Sequence, residues 1–271
     1  MQTIGEMAAH GFKLLNRHEI YVILEHIFKR DKTWLLINSA NIVNETKIQQ
    51  FVDMLERRQG GEPLQHILGI WEFCGIDFFV DSSALIPRPE TEELVEYILQ
   101  QEHSSHGLDI GTGTGCIAIS LAKKASIFMD ALDISEDALG LAGKNIELHS
   151  VADKVKLILA DIFCFESCKK YDFIVSNPPY ISHDEMEYLD ASVKDYEPML
   201  ALDGGEDGLK FYRAICETAT RLLKPEGKLY FEIGYNQAAL VQKILEYNGF
   251  VDIILKQDVF GKDRMIISKK G

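Results

Sequence analysis

The sequence contains no long run of apolar residues. Although 46% of its 271 residues are hydrophobic, charged residues interrupt every apolar segment well before the roughly 20 residues that a membrane-spanning helix needs. The N-terminal stretch MQTIGEMAAHGFKLLNRHEI lacks the basic and apolar regions of a secretory signal and the Arg- and Ser-rich, acid-poor composition of a transit peptide. We therefore expect a globular, cytoplasmic protein with no membrane partner, able to bury one full core and a second, smaller one.

Cysteine is scarce. The five cysteines are odd in number and scattered, which is typical of reduced thiols rather than of a disulfide framework. Cys164 and Cys168 are close in sequence, but no second Cys/His pair lies near them. We therefore expect no metal site there.

Positive charge is also in deficit. The chain carries 28 Lys and Arg against 42 Asp and Glu, for a net charge of −14. A protein that binds duplex nucleic acid usually presents a basic face, so this balance argues against nucleic acid as a direct partner. Residues 1–75 hold 8 basic and 9 acidic residues, so the acidity belongs to the rest of the chain.

The N-terminal part has the period of amphipathic helices. Apolar residues recur at steps of three and four in IGEMAAHGFKLL, EIYVILEHIFKR and ETKIQQFVDMLERR. The sequence predicts a helical domain over residues 1–75, in which Asn44 caps the third helix. A short hairpin and linker are predicted over residues 76–90, with EFCGIDFFVD as the pair of strands, and Thr91 is predicted to start the next helix.

From about residue 107, strand and helix patterns alternate. About seven strands separated by helices predict an α/β domain over residues 91–271, with a mostly parallel sheet covered on both faces. The last two strands, VDIILKQD and DRMIISKK, are joined only by VFGK. This connection is too short for a crossover, so it predicts an antiparallel hairpin.

The segment LDIGTGTGC is a candidate ligand-binding turn. Asp109 lies in a predicted strand, and Gly111, Gly113 and Gly115 precede a helix. Glycines let the backbone approach a ligand, and a helix N-terminus offers free N–H groups to an anion. One alternative is a nicotinamide-dinucleotide fingerprint, because the last two glycines and Ala118 fit its relaxed pattern. The C-terminal hairpin and the lack of an obvious hydride-transfer site argue against it.

Two acids follow the next two strands. Asp133 ends MDALD and can accept hydrogen bonds from both hydroxyls of a ribose in either kind of nucleotide site. Its alternative role is to cap the following helix, for which Ser135 is the better candidate. Asp161 ends KVKLILAD and can accept from an adenine amino group, with Ile162 packing on the ring; a helix cap at the strand end is the alternative.

Asn177, Pro178, Pro179 and Tyr180 follow the strand pattern YDFIVS. The side-chain oxygen of Asn177 and the carbonyl oxygen of Pro178 can accept both hydrogens of one NH₂ group. Pro179 would stiffen the turn, and Tyr180 would form an aromatic wall. The spacing therefore indicates a planar NH₂ group as the acceptor of a transferred group.

In this order, the glycine turn, the two acids and the Asn-Pro-Pro-Tyr motif resemble the S-adenosylmethionine (SAM) site of the seven-stranded methyltransferases. The resemblance is closer still to one family. Six segments look like the successive signatures of the HemK/PrmC family, the glutamine N5-methyltransferases of class 1 peptide-chain release factors: GEPLQHILG, EFCGIDFFV, ALIPRPETEELVE, LDIGTGTGCIAISLA, FIVSNPPYI and LYFEIG. This likeness covers about residues 55–271.

The resemblance implies a Rossmann-like, seven-stranded SAM-dependent methyltransferase domain with a small N-terminal helical domain. Because the N-terminal helices are nearly neutral, we expect them to dock another part of the substrate. The resemblance also implies methyl transfer from SAM to the side-chain nitrogen N5 of the glutamine in the Gly-Gly-Gln motif of a class 1 release factor, and we expect a monomer. The catalytic residues that it implies are Asn177, Pro178, Pro179 and Tyr180. The cofactor-binding residues that it implies are Asp109, Gly111, Thr112, Gly113, Thr114, Gly115, Asp133, Asp161, Ile162 and Asn177. Ile162 departs from some relatives, which carry a larger aromatic residue there.

Three alternatives share parts of this pattern. A methyltransferase for adenine N6 or another nucleic-acid amine suits the same Asn-Pro-Pro-aromatic geometry, but the acidity and the absence of a Lys/Arg-rich recognition region argue against it. A glutamine methylase of a ribosomal protein would share much of the C-terminal domain. A non-catalytic binding module of this fold would be expected to show decay of the glycine turn or of Asn-Pro-Pro-Tyr, and both are intact.

Overall fold

The computed structural model describes residues 2–103, 105–125 and 127–271. Its helices are α1 (Ile4–Gly11), α2 (Arg17–Phe28), α3 (Lys32–Ile37), α4 (Glu45–Gln59), α5 (Leu64–Leu68), α6 (Pro89–Gln101), α7 (Cys116–Lys124), α8 (Glu136–His149), α9 (His183–Met186), α10 (Ala191–Lys194), α11 (Lys210–Leu222) and α12 (Ala238–Tyr247). Its strands are β1 (Gln2–Thr3), β2 (Ile42–Val43), β3 (Ile70–Phe73), β4 (Ile76–Phe79), β5 (His106–Ile110), β6 (Phe128–Asp133), β7 (Val155–Leu159), β8 (Tyr171–Ser176), β9 (Leu223–Glu232), β10 (Phe250–Gln257) and β11 (Asp263–Lys270).

The chain forms two compact units. The first comprises the chain up to Ile70 together with Ala191–Tyr196, and the second comprises Trp71–Asp190 together with Glu197–Gly271. Within the described ranges, no helix is both long enough and apolar enough to cross a membrane.

The first unit is built from short amphipathic helices. Their apolar faces meet in one cluster, in which Ile20, Ile23 and Leu24 of α2 pack with Phe51 and Leu55 of α4. Burial of each such side chain contributes roughly 1.5–3 kcal/mol to folding. The helical period of the sequence therefore correctly predicts the character of this unit.

A side-chain cap begins α4 where the sequence predicts it. Asn44 Oδ1 accepts a hydrogen bond from the N–H of Lys47 at 3.0 Å, which satisfies one of the backbone donors that a helix start leaves free. Asn16 and Asp31 cap α2 and α3 in the same way. Local sequence chemistry thus sets the start of three helices in the first unit.

Helix α6 begins earlier than predicted. It starts at Pro89 with Arg88 as the N-cap residue, so the start predicted at Thr91 is wrong. Proline is favoured in a first helical turn because it has no N–H group to leave unpaired and its φ is already helical. Thr91 therefore lies within the first turn, where its hydroxyl makes a different contact, with Glu232 at the end of β9.

Strands β3 and β4 form a hairpin at the segment EFCGIDFFVD, and it begins at Ile70, before residue 76, at which the hairpin and linker were expected to start. Its two linking residues, Cys74 and Gly75, have φ of 52° and 73°, the left-handed backbone that a tight two-residue turn requires. The side chain of Asn145 in α8 fastens β4 by accepting from the N–H of Phe79 at 2.7 Å and donating to its carbonyl at 3.1 Å. The same amide donates to the carbonyl of Thr114 at 2.9 Å, so α8 joins the hairpin to the glycine turn.

The second unit contains a seven-stranded sheet in the order β10-β11-β9-β8-β5-β6-β7. The strands from β9 to β7 in this order pair in parallel. Strand β11 pairs antiparallel with both β9 and β10, which confirms the predicted C-terminal hairpin. The predicted α/β fold class, a seven-stranded sheet with helices, is confirmed.

Two hydrophobic clusters cover the sheet. Phe173 and Val175 of β8 belong to the cluster that contains residues of α6 and α7, whereas Ile174 belongs to the cluster that contains residues of α11 and α12. Successive side chains of a strand point to opposite faces, so the two clusters lie on opposite faces of the sheet. This explains why the strands read as continuous apolar runs rather than as alternating ones.

The chain order of the sheet places a crevice beside β5. From β5 the chain proceeds outward to β6 and β7, and it then returns to form β8 on the other side of β5. In open parallel sheets, ligands bind outside the carboxyl ends of the strands where the order reverses. The segments that follow β5, β6, β7 and β8 contain the candidate residues identified in the sequence.

Candidate active site

A cavity of about 280 Å³ lies at this edge of the sheet. Its walls include the turns after β5, β6, β7 and β8 and the two segments 83–88 and 198–201. The candidate residues that line it are Gly111, Thr112, Gly113, Thr114, Asp133, Asp161, Ile162, Asn177, Pro178 and Pro179. Asp109, Gly115 and Tyr180 lie outside this lining. The structure therefore brings most of the candidate residues to one cavity.

The glycine turn requires glycine for two different reasons. Gly111 has φ of 73°, and a Cβ added there would meet no atom within 4 Å. Gly115 has φ of 79°, and a Cβ there would lie 2.9 Å from Cδ1 of Ile119 and 3.3 Å from Cβ of Ala142. Both positions need the left-handed backbone. In addition, Gly115 allows close packing of the turn on α7 and α8, and Gly111 leaves space beside the backbone.

Hydrogen bonds attach this turn to the end of β6. The N–H groups of Gly111 and Thr112 both donate to the carbonyl of Leu132, at 2.8 and 3.0 Å. The N–H of Gly113 donates to Oδ2 of Asp133 at 2.9 Å. The shape of the turn and the position of the Asp133 carboxylate are thus set together.

Asp133 is held by two backbone donors. Besides the bond from Gly113, its Oδ1 accepts from the N–H of Ser135 at 3.0 Å. Ser135 itself caps α8 by accepting from the N–H of Ala138 at 3.2 Å, so the expectation that Ser135 is the cap is confirmed. An ionised carboxylate has about four acceptor sites, so Asp133 retains acceptor capacity toward the cavity that it lines.

Asp109 supports the turn from beneath. It is fully buried, and its Oδ2 accepts a hydrogen bond of 2.6 Å from the hydroxyl of Thr112. Burial raises the pKa of the Asp109 carboxyl to about 7, although the bond from Thr112 opposes this rise. Because Asp109 lies outside the cavity lining, it acts on the site through the turn that it holds.

Asp161 and Ile162 form the wall after β7. Oδ1 of Asp161 accepts from the N–H of Phe163 at 3.0 Å, a local turn in which the side chain bonds the backbone two residues on. The residues that follow form a turn rather than a helix, so Asp161 is not the helix cap that the sequence left open. Ile162 is buried and packs in the same cluster as α11.

Asn177 directly follows the last residue of β8. The hydroxyl of Ser176 donates to the carbonyl of Ile110 at 2.6 Å, which joins the ends of β8 and β5. The side-chain NH₂ of Asn177 donates to Oγ1 of Thr91 at 3.2 Å. Asn177 is therefore held from one side by the first turn of α6, and its side-chain oxygen is the group left to face another partner.

The backbone of the Asn-Pro-Pro-Tyr turn is packed by two glycines. A Cβ added to Gly208 would lie 2.5 Å from the carbonyl oxygen of Tyr180, and one added to Gly204 would lie 2.8 Å from its carbonyl carbon. The side chain of Gln237 donates to the same carbonyl oxygen at 2.8 Å. Burial raises the pKa of the Tyr180 phenol to about 12, so it stays protonated and offers no base.

A salt bridge joins the two segments that complete the cavity. Arg88 donates to Oε1 of Glu197 at 2.6 Å. The other oxygen, Oε2, accepts from the N–H of Ile86 at 3.3 Å. Glu197 is nearly fully buried, so this pair fixes segment 83–88 against the segment that begins at Pro198.

Four residues that support this site are not evident from the sequence: Thr91, Glu197, Glu232 and Gln237. One signal was available, because Glu232 is a carboxylate within the otherwise apolar strand pattern LYFEI, and a buried charge calls for a specific partner. Groups of three or more His, Cys, Asp or Glu side chains arranged to hold a metal ion are absent from the part of the chain that the structure describes.

Comparison with known proteins agrees with this architecture. The sequence matches the family models for the PrmC N-terminal domain over residues 9–69 and for the methyltransferase small domain over residues 89–204. A solved methyltransferase from Pyrococcus furiosus superposes with a TM-score of 0.55 at 22% identity, covering 73% of this chain and 90% of that one. The sheet order and this superposition show that the second unit has the fold of a solved methyltransferase.

Relatives of known function narrow this class. The release factor glutamine methyltransferase of Geobacter sulfurreducens is 41% identical over 271 residues, which is 99% of this chain and 94% of that protein. The release factor glutamine methyltransferase of Bacteroides thetaiotaomicron is 43% identical over 84% of each chain. The chain belongs to the release factor glutamine methyltransferase family.

The cofactor of this family is SAM, and the residues of the cavity fit it. Apolar side chains of Ile110, Leu132 and Ile162 line the cavity beside the carboxylate of Asp133, a combination suited to a flat base and a ribose. The free space next to Gly111 lets a ligand approach the backbone closely.

Proposed function

We propose that this protein transfers a methyl group from SAM to the side-chain nitrogen N5 of the glutamine in the Gly-Gly-Gln motif of class 1 peptide-chain release factors. The observation that carries the proposal is the Asn177 side chain, whose NH₂ is bound to Thr91 while the residue lines the same cavity as Asp133. An acceptor oxygen beside a cofactor site is what a substrate NH₂ group requires. The relatives are named release factor glutamine methyltransferases, which supports glutamine as the residue that carries this NH₂ group.

In this proposal the protein acts mainly by positioning. Oδ1 of Asn177 and the carbonyl oxygen of Pro178 accept the two hydrogens of the glutamine amide, which fixes both its place and its plane. Accepting both hydrogens also favours a more pyramidal nitrogen with an available lone pair. Pro179 keeps the turn stiff, and Tyr180 gives the flat amide an aromatic neighbour.

The cofactor, when bound, supplies a methyl group on a sulfonium that is open to in-line displacement. Asp133 would accept from the ribose hydroxyls, Asp161 from the adenine amino group, and Ile162 would pack on the ring. The turn from Gly111 to Gly115, with Thr112 and Thr114, would contact the rest of the cofactor, and Asp109 would hold that turn through Thr112. The amide nitrogen becomes acidic once it is methylated, so its proton can leave late and no strong base is needed.

We also propose that the first unit contacts a second part of the release factor, that the enzyme acts as a monomer in the cytoplasm, and that it binds no nucleic acid directly. The net charge of −14 supports the last point, because it opposes contact with a phosphate backbone. The first unit matches the family model of the PrmC N-terminal domain over residues 9–69, which supports a role for this unit that is common to the family.

The test is an assay with radiolabelled SAM and the purified protein. Parallel reactions contain a class 1 release factor, the same factor with its Gly-Gly-Gln glutamine replaced by alanine, a ribosomal protein preparation and adenine-containing DNA. We expect label in the intact release factor alone. The proposal would be overturned if the Gly-Gly-Gln motif of the intact factor remained unlabelled while label appeared in the alanine variant of the factor, in the ribosomal protein or in DNA.

A further inference from the structure

We propose that Thr91 and Glu232 are positioning residues that set the orientation of the Asn177 side-chain amide. The three side chains form a chain of hydrogen bonds from the cavity into the protein. Asn177 donates through Nδ2 to Oγ1 of Thr91 at 3.2 Å, and Thr91 donates through Oγ1 to Oε2 of Glu232 at 2.6 Å. This inference rests on the proposed function, because it concerns the acceptor that the substrate amide would meet.

The three residues come from distant parts of the sequence. Thr91 is in the first turn of α6, Asn177 follows β8, and Glu232 is the last residue of β9. Thr91 and Glu232 are 141 residues apart, and their exposed fractions are 3% and 1%. Both side chains are thus held in packed surroundings, and Thr91 also lines the cavity.

The direction of each hydrogen bond follows from the chemistry of the groups. Above the pKa of Glu232, its ionised carboxylate only accepts, so the single hydrogen of the Thr91 hydroxyl points to Glu232 in that state. Toward Asn177 the hydroxyl can then only accept. A short bond to a carboxylate is strong, so this direction is well defined.

The amide of Asn177 is oriented as a result. Its NH₂ group must face Thr91, since a flipped amide would set its oxygen against a hydroxyl oxygen with no hydrogen between them. Oδ1 is thereby turned away from Thr91. In the flipped state an NH₂ group would take its place, and it would repel the NH₂ of a substrate glutamine instead of accepting from it.

Glu232 places a buried carboxylate at the end of β9. Burial raises the pKa of its carboxyl to about 7, opposed by the hydrogen bond from Thr91 and by the charge of Arg264. An apolar residue at the end of β9 would avoid this cost. A carboxylate that accepts from the Thr91 hydroxyl fixes the direction of that hydroxyl and therefore the orientation of the Asn177 amide, which an apolar residue could not do.

The experiment compares substitutions of Thr91 in the full-length enzyme with release factor as substrate. Thr91→Val keeps the shape but removes the hydroxyl, whereas Thr91→Ser keeps the hydroxyl. Thr218→Val is the matched control, because Thr218 is 2% exposed, its hydroxyl is hydrogen-bonded to Arg221 and it lies outside the cavity lining. The readouts are kcat, KM for the release factor, the dissociation constant for SAM and the melting temperature.

We expect Thr91→Val to lower kcat roughly tenfold to a hundredfold, as misplacement of a positioned group does, while the SAM dissociation constant stays within about twofold. Thr91→Ser should keep kcat within about threefold of the wild type, and Thr218→Val should leave kcat unchanged. Glu232→Gln retains the shape of the glutamate but can donate to Thr91, which permits the flipped amide, so it should also lower kcat. If Thr91→Val melts at a lower temperature than the wild type, its loss of kcat could come from instability, and Glu232→Gln then provides the test.

Wild-type kcat in both Thr91→Val and Glu232→Gln would overturn the inference. So would an equal loss in Thr91→Ser and Thr91→Val, because packing rather than the hydroxyl would then be responsible. An inactive wild type that still binds SAM would instead overturn the proposed function, so the two failures are distinguishable.

Discussion

The N–H of Gly113 donates a hydrogen bond of 2.9 Å to Oδ2 of Asp133, 20 residues further along the chain. This bond joins the glycine turn after β5 to the acid that ends β6, so two sequence features identified separately form one structure. A second backbone donor, the N–H of Ser135, holds the other carboxylate oxygen. The carboxylate is therefore fixed before any ligand arrives, which reduces the entropy lost on binding.

Removal of this carboxylate should weaken cofactor binding. Asp133→Ala eliminates the acceptor proposed for the ribose hydroxyls, and charge-assisted hydrogen bonds contribute roughly 1.5–3 kcal/mol. We expect the SAM dissociation constant, measured by titration calorimetry, to rise about tenfold to a hundredfold. The control is Asp137→Ala, which removes an exposed acid in the first turn of α8, and this variant should bind SAM like the wild type. An unchanged constant in Asp133→Ala would rule out the ribose role.

Asn177→Ala should separate catalysis from cofactor binding. The substitution removes the proposed acceptor for the substrate amide, and loss of one positioned polar group of this kind lowers kcat by roughly 100-fold or more. Binding of SAM should remain measurable, because Asp133 and the glycine turn are untouched. Asn248→Ala, at the C-terminal end of α12, is the matched control. Near wild-type turnover in Asn177→Ala would contradict the assigned role.

The buried carboxyl of Asp109 should make stability depend on pH. Its pKa is about 7 in the folded protein against an ordinary 3.8, so between about pH 4 and pH 7 the folded state holds a proton that the unfolded chain has released. The free energy of unfolding therefore falls as pH rises through this window, by up to about 1.4 kcal/mol per pH unit, and the loss is complete above pH 7.

The substitution Asp109→Asn removes this titration and tests the prediction. The melting temperature of the variant relative to the wild type should increase from pH 5 to pH 8, with most of the change below pH 7. The exposed Asp137→Asn serves as the comparison. A constant difference between Asp109→Asn and the wild type over this range would show that the carboxyl does not titrate there.

The salt bridge between Arg88 and Glu197 should support the cavity. Glu197→Ala leaves both Arg88 and the N–H of Ile86 without their acceptor. Because Arg88 is partly exposed, we expect a loss on the order of 2 kcal/mol, less than for a fully buried pair, and weaker SAM binding. Arg213→Ala breaks an exposed ion pair with Asp207 and should cost under about 1 kcal/mol. Equal effects of the two variants in thermal unfolding and calorimetry would contradict this role for Glu197.

The first unit should affect the protein substrate but not the cofactor. Leu36 and Ile37, adjacent at the end of α3, are 54% and 78% exposed, and exposed apolar side chains that lie together are a candidate contact surface. Ile37→Asp should raise KM for an intact release factor while leaving the rate on a short Gly-Gly-Gln peptide and the SAM dissociation constant unchanged. Tyr247→Asp, also highly exposed but in the second unit, is the control. Equal KM values for wild type and Ile37→Asp would remove Ile37 from the docking surface.

Features that depend on near neighbours in the chain were predictable. The cap at Asn44 follows from a helix period and one preceding side chain. The antiparallel pairing of β10 and β11 follows from the length of their connection. The position of Asn177 after β8 follows from an apolar run that ends at two prolines. The segments after successive strands line one cavity because parallel strands end at the same edge of the sheet.

Features that depend on contacts between distant residues were not predictable. The partner of Arg88 is 109 residues away, and the partner of Thr91 is 141 residues away. A threonine followed by two glutamates is typical of a helix start, and this local signal gives no indication that the Thr91 hydroxyl bonds to Glu232 at the end of β9. Which buried carboxylate receives which donor depends on packing, and sequence spacing carries no information about it.

The most direct test of the central claim is tandem mass spectrometry of the Gly-Gly-Gln peptide from a release factor incubated with SAM and this protein. We predict that the peptide gains the mass of one methyl in place of one hydrogen, that the fragment ions locate the change to the glutamine side chain, and that Asn177→Ala abolishes it. An unmodified glutamine, or a methyl group located on any other residue, would contradict the account.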